Sequence, residues 1–261
     1  MRKSNYISSY VVLAIYFLMN YSIYGQEIIT DRPDQTESSS TIQKGSLQVE
    51  TGVLIGFSDN EDFSERQLLA PTTLFRYGIT KGIEIRVLNQ LESIKNISDS
   101  KEVIGISDIE IGTKIQLLKK ENINTEIALL SHLIIPSGTK GLSNNGLGTI
   151  NKLSISHKLN EKMSLGYNIG YDYFGKENGN FTYSMAIGVS INEKIGIYVE
   201  PYGEFIDLDN HLARFDMGIT YLLNKNFQLD FSFGTGMNHS MNYIAAGFSV
   251  YIDGSKELIT E

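Results

Sequence analysis

From Gly45 onward the chain is a succession of stretches in which apolar residues alternate with small, polar or charged ones. The segment Lys158–Phe174 is the clearest. Met163, Leu165, Tyr167, Ile169, Tyr171 and Tyr173 fall on one set of alternate positions. Ser164, Gly166, Asn168, Gly170, Asp172 and Phe174 fall on the other. Period two is the signature of a strand with two unlike faces. No segment after Gly25 sustains a helical period. The pattern predicts strands over Gly45–Phe57, Arg66–Tyr77, Gly82–Glu92, Ile106–Leu118, Asn124–Pro136 and Leu147–Leu159. It predicts six more over Met163–Phe174, Asn180–Ile191, Ile195–Phe205, His211–Leu222, Phe227–Gly236 and Tyr243–Ile252.

These stretches are longer than strands of soluble proteins, which usually run five or six residues. A strand of about twelve residues, rising about 3.3 Å per residue and tilted by roughly 40°, climbs about 30 Å. That is enough to cross a bilayer. The connections alternate in kind. Short polar turns surround Thr80-Lys81, Asn160-Glu161-Lys162, Asn192-Glu193-Lys194 and Asn224-Lys225-Asn226, whereas "SDNEDFSER", "SIKNISDSKEVIG" and "SGTKGLSNNG" are looser. Tight turns at one end and loose loops at the other are the rhythm of an up-and-down barrel, the tight ends being periplasmic. The apolar rows suit hydrocarbon, and Gly, Ser, Thr and charges suit a crowded wet lumen. Tyr167, Tyr171, Tyr173, Tyr183, Tyr221, Tyr243 and Tyr251 are expected to form interfacial girdles. The fold expected is an all-β, antiparallel up-and-down transmembrane β-barrel of about 12 strands over residues 45–252. A soluble sandwich or calyx is the alternative.

Composition narrows the function. Hydrophobic content is 41%, which is too ordinary for a helical membrane bundle. Cysteine is absent, so disulfides, thiolate metal sites and thiol nucleophiles are excluded together. The formal charge of −8 argues against a nucleic-acid partner. Arg2 and Lys3 precede an apolar run over Val11–Met19, too short for a spanning helix, and small residues lie at Ser22–Gly25. Residues 1–25 thus read as a secretory signal peptide. A short membrane anchor is the alternative.

Several stretches carry a family resemblance. "ITDRPDQTESSSTIQKGSLQVETGV" resembles the start of the outer-membrane family named for the MetA pathway of phenol degradation. "LFRYGITKGIEIRV", "GISDIEIGTKIQL", "PYGEF" and "AAGFSVYI" are similar to its later strands, and the likeness covers most of Thr30–Ile252. The resemblance implies a barrel in the cell outer membrane, inserted by the assembly machinery, that passes small molecules by diffusion, hydrophobic or aromatic ones among them. One departure is the acidic tail, residues 253–261, which leaves Tyr251 short of the terminus where a recognition aromatic commonly stands.

Two sets of residues are candidates for function. Alternation places Arg76, Glu84, Arg86, Glu110, Lys114, Glu126, Lys152, Asp172, Glu200, Glu204, Arg214, Asp216 and Asp230 toward the lumen. They form either a structural ion-pair network or a selectivity ring for a polar or anionic solute. Residues 26–44 form a leader that holds Asp31, Arg32, Pro33, Asp34 and Glu37 and almost no apolar group over its acidic stretch. It is expected to be a loose periplasmic segment or a lumen plug with Arg32 facing lumenal carboxylates. Catalytic readings fare poorly. Ser156 and His157, Ser131 and His132, and His239 and Ser240 are adjacent pairs that alternation sends to opposite faces. Glu200 and Glu204 resemble a hydrolase pair but suit ion pairing better. "GTGMNHS" lacks the helix of a phosphate loop, and Asp207–Asn210 lacks the glycine and glutamate of a calcium loop. No cofactor or metal is expected, and the partners are outer-membrane lipid and a small solute. A non-conducting barrel that binds through its surface loops is the alternative, and a lipid-active enzyme the third.

Overall fold

The computed structural model describes residues 28–59, 64–120, 123–144, 146–175 and 178–254. Residues 1–25, expected from the sequence to be a signal peptide, and most of the acidic tail lie outside them. The described chain is all strand and turn. Its elements are β1 (Leu47–Asp59), β2 (Ser64–Thr80), β3 (Ile83–Asn96), β4 (Glu102–Ile106), β5 (Ile109–Leu118), β6 (Thr125–Ile135) and β7 (Gly148–Lys158). They continue as β8 (Met163–Tyr173), β9 (Asn180–Ser190), β10 (Ile195–Ile206), β11 (Asn210–Asn224), β12 (Phe227–Gly236) and β13 (Ser240–Ile252).

Each strand pairs antiparallel with its sequence neighbour, and β1 pairs with β13. The sheet therefore closes on itself as an up-and-down barrel. β4 and β5 both pair with β3, Leu91 opposite Ile106 and Leu88 opposite Glu110. They are one stave broken at Ser107-Asp108, so the barrel has twelve staves. This moves two expected boundaries. β3 runs on to Asn96 and the fourth stave begins at Glu102, so most of "SIKNISDSKEVIG" is paired strand instead of loop.

The short turns have a local cause. Asn160 Oδ1 accepts from the amides of Lys162 (2.8 Å) and Met163 (2.9 Å). Asn192 does the same for Lys194 (2.8 Å) and Ile195 (2.9 Å). An Asn side chain that mimics a backbone turn favours reversal there.

Burial settles the direction of the faces. Arg76, Glu84, Lys114, Glu200 and Asp216 are 0% exposed, while Val53, Ile169 and Phe231 are 47–49% exposed. A water-soluble fold would invert this, because burying charge and exposing apolar area are both unfavourable in water. With hydrocarbon outside, both become sensible. Two expected girdle residues are corrected. Tyr243 and Tyr251 are buried, at 6% and 5% exposure. They share the parity of Ala245, Gly247 and Ser249, and that parity faces the lumen. Tyr243 lies across Gly234 of β12, where a Cβ would meet its ring, and Tyr198 lies likewise across Gly218.

The lumenal network as candidate functional site

The leader lies inside the barrel. It enters at the tight-turn end, where the Ile28 amide donates to Lys225 O (3.0 Å). Ile28, Ile42 and Tyr251 pack together there against Leu222. It leaves beside β2, where the Gly45 amide donates to Gly78 O (2.8 Å). Between these points residues 29–41 form a bend that rises into the lumen.

Three wall cations hold the rising limb. Asp31 receives Arg86 (2.5 Å), Lys114 (2.9 Å) and Arg76 (3.1 Å). Burial alone would raise the Asp31 carboxyl, but Arg76, Lys114 and Arg86 hold it well below the usual carboxylate range. Glu37 receives Arg86 (2.8 Å) and Lys114 (3.4 Å). Glu50 of β1 accepts the Asp31 and Arg32 amides (2.9 and 3.1 Å) and also Arg76 (2.9 Å). Arg76 bridges Glu50 and Glu84, and its guanidinium donates to Ser40 O (2.9 Å). Arg76 and Arg86 thus have both wall and leader partners, and Lys114 is held by the leader carboxylates, the arrangement that makes a buried charge tolerable.

Arg32 crosses to the other wall and meets Asp230 at 2.8 Å. Its guanidinium lies on the paired glycines Gly52 and Gly247. A Cβ at Gly52 would come within 2.5 Å of Nη2, so these positions must lack a side chain for the close approach. The Glu200 carboxylate accepts the Gln35 amide (2.7 Å) and the Thr36 hydroxyl. Asn168 exchanges two hydrogen bonds with the Glu37 backbone (2.7 and 3.1 Å). Ser39 contacts Ser156, and Ser40 donates to Glu126 (3.1 Å). Pro33 is buried, and Asp34 keeps part of its surface on a cavity.

The remaining wall charges fall in two groups. Asp216 accepts from Tyr243 (2.5 Å) and pairs in register with Glu200, and no cation stands in salt-bridge reach of either among the described residues. Toward the loop end, Arg214 pairs with Glu204 (2.8 Å), Glu110 with His132 (2.8 Å), and Lys152 stands near Asp172. Glu126 meets Lys119 (3.1 Å) near the turns. Glu50, Gln48, His132 and Asn168 also belong to the network and were not among the residues expected from the sequence. Gln48 and Glu50 carried a signal, since they share one parity of β1. His132 shares its parity with buried Ala128, Leu130 and Ile134, which disguised it.

A cavity of about 1030 Å³ lies beside the leader at the tight-turn end. Leader residues Thr36–Ser40 line one side, and Lys81, Lys119, Lys158, Ser164 and Tyr198 line the others. The lumen is thus part filled and part open. Ser156 and His157 are separated by the wall. Ser156 touches the leader, and His157 stacks on Tyr167 outside, with ring centroids 5.6 Å apart.

Comparison with known proteins agrees with this architecture. A profile of the family described as "Putative MetA-pathway of phenol degradation" matches residues 30–253. An outer membrane channel from Pseudomonas putida F1 superposes with a TM-score of 0.69 at 11% identity, over 87% of this chain and 100% of that one. The KdgM porin superposes with a TM-score of 0.54, also at 11% identity, over 78% and 98%. No curated protein matches by sequence. The fold is that of an outer-membrane β-barrel.

Proposed function

This chain belongs to the MetA-pathway phenol-degradation family, and we propose that it is an outer-membrane diffusion channel whose own leader plugs and gates the lumen. Its solutes are small molecules, hydrophobic or aromatic ones among them, a reading supported by the family description. The observation that carries the plug is Asp31 on Arg76, Arg86 and Lys114, because these cations have too few wall carboxylates to balance them without it. The cavity of about 1030 Å³ beside the leader supports passage on release, since part of the lumen next to the periplasmic turns is already open. No chemical step is assigned, as Ser156 and His157 occupy opposite faces of the wall. Lipid surrounds the apolar rows, and assembly machinery inserts the barrel.

The test compares the mature chain with a variant that lacks Thr30–Ser40, in planar bilayers and in liposome swelling. The deletion should raise single-channel conductance and small-solute entry several-fold. Equal conductance in both proteins would remove the plug. A deletion variant that folds but never conducts would instead support a closed barrel acting through its surface loops.

A further inference from the structure

The outward face of the barrel is uneven. On β8–β13 its mid-height residues are apolar or aromatic, such as Ile169, Met185, Met217 and Phe231. On β3, β5, β6 and β7 the apolar rows are broken at mid-height by Asn89, Thr113, Ser131 and Asn151; Thr51 of β1 and Thr73 of β2 break theirs too, but are hydrogen-bonded to the wall and to each other. The first four share the parity of lipid-facing neighbours: Val87 and Leu91, Ile111 and Ile115, Leu129 and Leu133, Leu153 and Ile155. They lie five to seven residues from the periplasmic ends of their strands. At about 2.5 Å of axial rise per tilted residue, that is near the middle of an apolar band about 25 Å tall. Acyl chains offer no hydrogen bonds there.

Two of the four are satisfied within the wall. Thr113 donates to Glu84 O (2.8 Å), and Ser131 donates to Asn151 Oδ1 (2.8 Å). The Asn151 amide nitrogen reaches only Thr149 Oγ1, at 3.4 Å. The Asn89 carboxamide has no hydrogen bond among the described residues. The same sector is bare of aromatics. β3, β4, β5, β6 and β7 contain no Phe, Tyr or Trp, whereas β1, β2 and β8–β13 all do. Girdle aromatics mark where a wall meets lipid headgroups, and this sector lacks that mark.

The pattern across these strands is also symmetric. In order it reads Asn, Thr, Ser, Asn. One register row climbs from Leu47, at the periplasmic end of β1, through Tyr77, Ile85, Thr113, Ser131, Asn151 and Tyr171 to Phe181, at the loop end of β9. Thr113 and Ser131 are adjacent steps on that row. Asn89 stands four residues above Ile85, which brings it level with Asn151. A two-fold axis along the membrane normal, passing between β5 and β6, would exchange Thr113 with Ser131 and Asn89 with Asn151. A carboxamide carries both donor and acceptor and is its own complement. Such self-complementarity is what an isologous interface requires.

We propose that this sector is the interface of a homodimer in the membrane, with Asn89 of each copy hydrogen-bonded to Asn151 of the other. The occupant is a second copy of this chain, since only a matching surface answers both amides at one height. The test uses the absence of native cysteine. Chains carrying Asn89→Cys and chains carrying Asn151→Cys are co-expressed and oxidised in native membranes, with Met217→Cys on the far wall as control. Cross-linking should join the two different chains, several-fold more than either chain to itself or to the control. Native mass measurement in nanodiscs should give a dimer, and the double variant Asn89→Leu/Asn151→Leu should give a folded monomer with heat-modifiable migration. A monomeric wild type, exclusively like-with-like cross-links, or a double variant that stays dimeric would each overturn the interface.

Discussion

Asp31 and Asp34 stand three positions apart on the leader in opposite fields. Asp31 faces Arg76, Arg86 and Lys114, which hold its carboxyl low against the effect of burial. Asp34 has no such cation. Burial first, and then the Glu200 carboxylate beside it, push it well above the usual range, with Asp216 and Asp31 adding to the effect. The signs follow from linkage. Asp31 contributes to docking wherever it is ionised, a contribution present above the ordinary aspartate value of about 3.9 and lost only as pH falls through its lowered value. Asp34 favours the docked leader while protonated, and that contribution declines as pH rises past the ordinary value toward the raised one. Of these two aspartates, only Asp34 should change between about pH 4 and neutrality. Wild-type conductance should therefore increase over that interval as the bend loosens. Asp34→Asn should reduce that increase, and Asp31→Asn should conduct more at every pH. Bilayer recordings across pH decide the matter, and an Asp34→Asn channel with the wild-type pH profile would contradict it. The run "TDRPDQTESSS" was legible as polar and unfit for lipid. Its partners were not, because Arg32 meets Asp230 nearly two hundred positions away and no local pattern carries that pairing.

At the scale of elements, the broken fourth stave ties a loop to the barrel. Asp108, at the break between β4 and β5, accepts the amides of Ser137 (3.0 Å), Gly138 (2.8 Å) and Asn144 (2.9 Å). Thr139 continues the attachment, accepting from the Ile106 amide at 3.1 Å and donating its own amide to Ile106 O at 2.8 Å. The segment Ser137–Asn144 thereby covers the edge of β4 that β6 leaves unpaired, because the β5–β6 ladder ends at Ile109 and Ile135. Gly105 admits this contact, since a Cβ there would meet the Thr139 side chain. Asp108→Ala removes the acceptor for three amides, each worth about 1–3 kcal/mol if left buried and unpaired. It should release the loop with the barrel intact, seen as faster amide exchange and proteolysis over 137–144 with unchanged gel migration. Protection equal to wild type would mean that the acceptor is dispensable. Period-two alternation made the staves legible, along with the parity of Glu84, Arg86 and Lys114. It failed where another expectation overrode it. Tyr243 and Tyr251 were assigned to the girdle for their chemistry although their parity matched Ala245 and Ser249. The break at Ser107-Asp108 was illegible because a bulge leaves both flanks looking like ordinary strand.

The whole lumen carries an excess of carboxylate, and the leader decides how that excess is felt. Arg32, Arg76, Arg86, Lys114 and Arg214 each stand in an ion pair. Asp34, Glu92, Asp172, Glu200 and Asp216 stand in none among the described residues. A pore with unpaired carboxylates on low-dielectric walls raises the local concentration of cations and excludes anions. In alkaline solution, where these carboxyls are ionised, the mature channel should therefore prefer potassium to chloride in a salt gradient, and Glu200→Gln with Asp216→Asn should weaken that preference. Removing Thr30–Ser40 acts in the other direction on charge. It takes away Asp31, Asp34 and Glu37 against one arginine, leaves Lys114 facing open water without its counter-charges, and leaves Arg86 with Glu84 alone. The deletion channel should conduct more and shift its reversal potential toward chloride, the two changes arriving together. A leader that merely obstructed the lumen would alter conductance alone. If the reversal potential is unmoved while conductance climbs, the leader is a steric stopper and its carboxylates have no part in selectivity. If it moves toward chloride, one short segment sets both how much passes and which sign of charge is admitted.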